Sequence, residues 1–223
     1  MTVVSGVERF SLRTAGGPIS AEWTGLEGAR AALVLGHGAG AGMGHPFMRG
    51  VAERLAARGV ATLRYQFPYT EAGRRRPDPP PLLHDAVRAA LQTGAGSGLP
   101  LFAGGKSLGG RMTSQLVAAD GAGKARGLVF LGFPLHPAGR PGTERAAHLD
   151  AVQVPMLFLQ GDRDKLAELA LLQPVVQRLG ARATMHVIPQ ADHGFHVPAR
   201  SGRNDAEVLD ELAEVAAGWI LGG

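Results

Sequence analysis

The strongest constraint on this chain is a recurring alternation. Short, continuous apolar runs that stop at glycine are followed by stretches with helical spacing. AALVLGHG (31–38) and LPLFAGG (99–105) are unbroken apolar runs ending in glycine, the pattern of strands buried on both faces. VATLRYQF (60–67), RGLVFLGFPL (126–135), PMLFLQG (155–161) and ATMHVIP (183–189) read as further strands. Between them, FMRGVAERLAARG (47–59) behind Pro46, LLHDAVRAALQTG (82–94), LGGRMTSQLVAAD after Ser107, and a segment around 166–179 read as helices, with a last helix near 204–221. VERFSLR (7–13) and PISAEWT (18–24), separated by Ala15-Gly16-Gly17, predict a leading antiparallel hairpin. YTEAGRRRPDPPP is too rich in proline to be regular, and 136–154 is expected to be irregular.

Strands alternating with helices imply an α/β architecture: a mostly parallel central sheet with helices on both faces, joined by right-handed crossovers. The 223 residues suit one domain spanning 1–223, with no repeat or linker. Ligands in such sheets bind outside the carboxyl ends of the strands, so residues just after strands are the ones to inspect.

Composition narrows the chemistry. Without cysteine there is no disulfide, thiolate nucleophile or Cys-bound metal. The net charge of +4 comes from scattered arginines, with Arg74–Arg76 the only run, and aromatics are 5%; neither is a nucleic-acid footprint. The first residues lack an apolar leader core, and no run of about eighteen apolar residues occurs, so a soluble, cytoplasmic protein without membrane contact is expected.

Three motifs follow strands. Gly105-Lys106-Ser107-Leu108-Gly109 fits G-x-S-x-G, where a hydroxyl is held out on a sharp strand-to-helix turn between tiny neighbours. With 33 glycines and seven serines, chance gives about 0.15 such matches, so context matters: this serine ends a buried strand and opens a helix. A phosphate-binding G-x-x-x-x-G-K-S loop needs glycine where Pro100 stands. Gly36-His37-Gly38-Ala39-Gly40 is the second motif, and could supply an amide that joins the one after the nucleophile in holding an oxyanion; the candidates are Ala39 and Leu108. Read as a dinucleotide fingerprint, Gly36, Gly38 and Ala41 lack the acid expected at the end of the next strand, which closes Arg64-Tyr65-Gln66-Phe67. His37 itself reads as structural. Third, Gln160-Gly161-Asp162-Arg163-Asp164 and Ala191-Asp192-His193-Gly194-Phe195 place an acid and then a base after the last two strands. An imidazole must take the proton of a serine before it becomes nucleophilic, and a buried carboxylate fixes the imidazole's tautomer. The order Ser, Asp, His is that of the α/β-hydrolase fold. His193 and His196 have H-x-x-H spacing, but no further ligand cluster supports a metal.

The set LGHGAGAGM, GGKSLGGR, QGDRD and ADHGF resembles the small α/β-hydrolases of the dienelactone-hydrolase-like group. Within it, the resemblance is closest to the subset sharing G-G-[KR]-S-[ML]-G-x-R, to which testis-expressed protein 30 and the KAT8 regulatory complex subunit 3 belong. It covers about 30–220 and implies a nucleophile at Ser107, an acid at Asp164 and a base at His193. Asp162 is the second choice of acid; Asp192 cannot easily reach the ring of its own neighbour. Dienelactone hydrolases proper use cysteine, so serine here departs from them. The activity implied is hydrolysis of a carboxylic ester or related acyl bond in a small molecule, without a cofactor. Thioester, peptide and acyl-transfer chemistry share the same three residues. A hydrolase-fold interaction protein with an idle site is the alternative class, since some relatives serve in complexes. The short interval 136–154 leaves no room for a substantial cap. An open site is therefore expected, lined by Phe67, Tyr69, Phe133 and Leu135, with Arg74–Arg76 placed to meet a negatively charged acyl group.

Overall fold

Residues 6–222 are described by the structure, a computed structural model; residues 1–5, the start of the segment read as lacking a leader, and residue 223 lie outside the described residues. The apolar runs form one eight-stranded sheet: β1 (Val7–Thr14), β2 (Gly17–Thr24), β3 (Ala31–Gly36), β4 (Val60–Tyr65), β5 (Leu101–Lys106), β6 (Ala125–Leu131), β7 (Met156–Gly161) and β8 (Ala183–Ile188). Their spatial order is β1-β2-β4-β3-β5-β6-β7-β8. The hairpin β1–β2 is antiparallel and joins β4 antiparallel, while β4 to β8 pair in parallel through β3.

Burial on both faces explains the unbroken hydrophobicity of the central strands. Along β3, Leu33 and Leu35 pack with Met48, Val51 and Leu212, whereas Val34 points to the other face, among Val87, Ala90 and Met112. The helices divide accordingly. α1 (Pro46–Ala56) and α6 (Asp205–Gly222) cover one face; α3 (Pro80–Gly96), α4 (Leu108–Asp120) and α5 (Leu169–Leu179) cover the other.

The proline-rich stretch is more ordered than its composition suggested. Proline at the first helical position has its φ preset and lacks only an N–H that would be unpaired anyway. Pro68 thus opens a single turn, α2 (Pro68–Glu71), and Pro80 starts α3 two residues earlier than expected. Likewise, 136–154 contains a 3-10 helix, Glu144–Ala151, packed on α4. Nothing larger separates β6 from β7, so there is no cap domain. Among the described residues, no helix is long and apolar enough to cross a membrane.

Candidate active site

Ser107 stands between β5 and α4 at φ 50 and ψ −108, a left-handed conformation that costs a non-glycine residue about 1–3 kcal/mol. Backbone packing too close for any side chain holds it there. A Cβ at Gly109 would lie 2.2 Å from the Gly36 carbonyl oxygen, and one at Gly105 2.4 Å from the same atom. A Cβ at Gly104 would meet the Val129 oxygen at 1.9 Å. The glycines around the serine are therefore there for volume: β3, β5, β6 and the first turn of α4 touch main chain to main chain.

Asp164 and His193 come from the loops after β7 and β8. The Ser107 hydroxyl donates to His193 Nε2 at 2.9 Å, and His193 Nδ1–H donates to Asp164 Oδ2 at 2.6 Å. Asp164 is 2% exposed and also accepts from the Leu166 amide at 2.8 Å and from the Gln160 side chain. Burial pushes its carboxyl up, but the His193 and Leu166 hydrogen bonds, with the charges of His193 and Lys106, more than offset this and hold it below the usual range. The second-choice acid, Asp162, is exposed, with no bond to the ring. Asp192 instead ties its own loop, accepting from the Gly194 amide at 2.8 Å and the His196 amide at 3.0 Å.

The loop after β3 lies against the same serine. Ala39 and Ser107 both line a cavity of about 150 Å3, with His45, Phe47, Met48, Lys106 and His193. The amides of Ala39 and Leu108 have no acceptor among the described residues, as donors kept for an oxyanion require. His37 pins this loop from beneath: its Nδ1–H donates to the Gly38 carbonyl at 2.8 Å and its Nε2 accepts from the Phe67 amide at 3.1 Å. Burial lowers its pKa to about 4, the Gly38 bond opposing, so the ring is neutral and structural.

Phe67, Tyr69, Phe133 and Leu135 are in the wrong place for the role expected of them. Each is at most 1% exposed and packed in the core, and none borders the cavity at Ser107. Their positions after strands are right, but the side chains turn inward, where burial of an aromatic ring is worth more than exposure at a rim. Arg74 is engaged by Asp78 at 2.6 and 3.2 Å, and Arg75 and Arg76 are exposed; none of the three lines the cavity. A larger cleft of about 590 Å3, lined by Arg30, Phe102 and Trp219, lies at the opposite ends of the strands, away from the serine.

Lys106 is the residue that sequence reasoning missed. Its Nζ donates to the His193 carbonyl at 2.6 Å and lies 5.4 Å from the Phe195 ring centroid, which stacks on Phe47. Burial draws its pKa down to about 8, against the fields of Asp164 and Asp192. The only sequence signal is its place beside Ser107, shared by the rejected phosphate-loop pattern and by the G-G-[KR]-S run of the resemblance.

Strand order, elbow and loop positions together define an α/β-hydrolase fold. The chain belongs to the family described as "Alpha/beta hydrolase domain", whose model matches residues 29–221. Solved structures agree on the fold. A dienelactone hydrolase from Anabaena variabilis superposes with a TM-score of 0.77 at 21% identity, covering 98% of each chain. An α/β serine hydrolase homologue from Coxiella burnetii gives 0.75 at 20%, covering 96% of this chain and 99% of its own. A serine hydrolase without a lid from Xanthomonas campestris gives 0.71 at 18%, covering 96% and 94%.

Proposed function

We propose that this hydrolase is a serine hydrolase that cleaves a carboxylic ester, or a related acyl bond of a small molecule, through an acyl-enzyme on Ser107. The observation that carries this is the unbroken relay from Ser107 Oγ through His193 to buried Asp164, at 2.9 and 2.6 Å, on a strained turn. Serine hydrolases and esterases among its structural neighbours support the same chemistry. So does the run GGKSLGGR at 104–111, which resembles the G-G-[KR]-S-[ML]-G-x-R pattern of the testis-expressed protein 30 subset of the broader group.

The Ser107 oxygen attacks the acyl carbon while His193 Nε2 takes its proton, and Asp164 stabilises the imidazolium. The Ala39 and Leu108 amides hold the tetrahedral oxyanion, each worth about 3–4 kcal/mol in the transition state. His193 then passes the proton to the leaving group, and water, deprotonated by the same ring, releases the acid. Cytoplasmic residence fits a chain with no cysteine.

The test is the initial rate on 4-nitrophenyl esters and thioesters before and after Ser107→Ala. Turnover that falls to background in a folded variant is expected. An unchanged rate would remove Ser107 from the reaction, and a wild-type protein that turns over no acyl substrate would favour an idle site.

A further inference from the structure

Two arginines, Arg111 and Arg145, neither of them lining the 150 Å3 cavity, have no side-chain partner among the described residues. Arg111 lies in the first turn of α4, where its amide donates to the Ser107 carbonyl at 3.1 Å. Helical side chains lean toward the N-terminus and cover the preceding turn, so Arg111 lies over the turn that Ser107 opens. Arg145 lies in the 3-10 helix Glu144–Ala151 packed on α4. The two elements are fastened one turn further on, where Ser114 Oγ–H donates to His148 Nε2 at 2.7 Å. Ser114 is three residues after Arg111, and His148 three after Arg145. Both elements lead from the carboxyl edge of the parallel sheet back to its amino edge, so this fastening leaves the two arginines at the same, carboxyl-edge end of the pair.

Neither guanidinium has an ion-pair or side-chain hydrogen-bond partner among the described residues, and Arg111 Nε is enclosed with nothing to donate to. Glu168 holds His136 at 2.5 Å, and Glu144, which lies beside Gly142, makes no ion pair with either arginine. The surrounding histidines add no opposing charge. Burial, and then Arg111 and His84, lower the pKa of His148 to about 4. Arg111 itself is lowered by burial and then by Arg145, the mark of two like charges held close without an anion between them. Arg64, by contrast, keeps one enclosed Nε unpartnered but has its Nη2 paired with Glu22. An enclosed guanidinium donor without an acceptor is costly unless a ligand completes it.

We infer that Arg111 and Arg145 form an oxyanion-binding subsite for a carboxylate or phosphate carried by the substrate itself. Planar guanidinium forks from two elements suit either anion. The inference rests on Ser107 being the nucleophile, and it assigns the substrate class: an acyl compound with an anionic end, not a neutral lipid ester.

The test compares kcat/KM for mono-4-nitrophenyl glutarate with that for its neutral counterpart 4-nitrophenyl pentanoate, in wild type, Arg111→Gln and Arg145→Gln. The expected wild-type preference for the anionic ester is at least about tenfold, and each variant should lower that ratio by about tenfold or more. Arg111→Lys, which keeps charge but loses the fork, is the substitute if Arg111→Gln does not fold. A wild-type ratio near one that no variant moves would overturn the subsite while leaving the hydrolase intact. If no ester is turned over, calorimetric titration of wild type with glutarate and with methyl phosphate decides. Binding that Arg145→Gln abolishes supports the subsite although hydrolysis fails, and the tighter of the two ligands tells carboxylate from phosphate. Binding of neither ligand overturns it.

Discussion

The two halves of the site are built by different means. Around Ser107 and the Ala39 loop, geometry is set by exclusion: main chain meets main chain at Gly36, Gly105 and Gly109, with no space for a methyl group. Around Asp164 and His193, geometry is set by hydrogen bonds that involve side chains: the Gln160 side chain and the Leu166 amide donate to Asp164, Lys106 Nζ donates to the His193 carbonyl, and Asp192 accepts from the Gly194 amide of its own loop. An excluded-volume construction fails all at once, because backbone cannot give way. A hydrogen-bonded one fails by degrees, since water or a neighbouring group can take over part of each bond. Strain at Ser107 can be stored only in the first kind.

Substitutions should separate the two behaviours. The largest effect is expected from Asp164→Asn, which keeps shape but leaves His193 in the wrong tautomer: kcat should fall about 10⁴-fold with an unchanged urea midpoint. A midpoint that moved with it would mean Asp164 is structural first. Gly109→Ala should reverse the pattern and lower stability by about 4 kcal/mol, because its Cβ meets the Gly36 oxygen at 2.2 Å. A stable, active Gly109→Ala protein would break the exclusion account. The neutral His37 that pins the Ala39 loop gives a smaller, pH-dependent effect. Its pKa of about 4 in the folded state lies below the ordinary 6.5, so the unfolded chain takes up the proton first and stability falls as pH drops through that interval. Between pH 7 and pH 5 this amounts to about 2 kcal/mol, and the loss over that range should shrink in His37→Gln, as read from urea midpoints at both pH values.

Lys106→Met is the graded case on the acid–base side. Loss of the donor to the His193 carbonyl should lower kcat about tenfold, and Arg should restore part of it. Equal activity in Lys106→Met would show that the loop holds itself. The smallest change is the control for glycine: Gly218 lies inside α6 with open space around its Cβ position. Gly218→Ala should raise stability by about 1 kcal/mol, measured in the same urea titration.

The parts legible in sequence were those written in volume and periodicity. Continuous runs such as AALVLG had to be strands buried on both faces, and the glycines flanking Ser107 announced a turn that excludes side chains. Direction was not legible. A place after a strand locates backbone at the carboxyl edge of the sheet, yet Phe67 and Phe133 turn into the core there. Partnerships with main chain were equally silent: the Lys106 bond reaches a carbonyl 87 residues away, and no residue type marks a carbonyl. Two helix starts, at Pro68 just before the proline-rich stretch and at Pro80 within it, were concealed because the same residue both breaks and begins helices.

The central claim is that Ser107 is an activated nucleophile, and the most direct measurement is labelling of the pure protein by a fluorophosphonate, with the modified peptide located by mass spectrometry. Rapid modification at Ser107, abolished by His193→Ala, is the expected result. A folded protein that stays unlabelled, or carries the label on another residue, would contradict it.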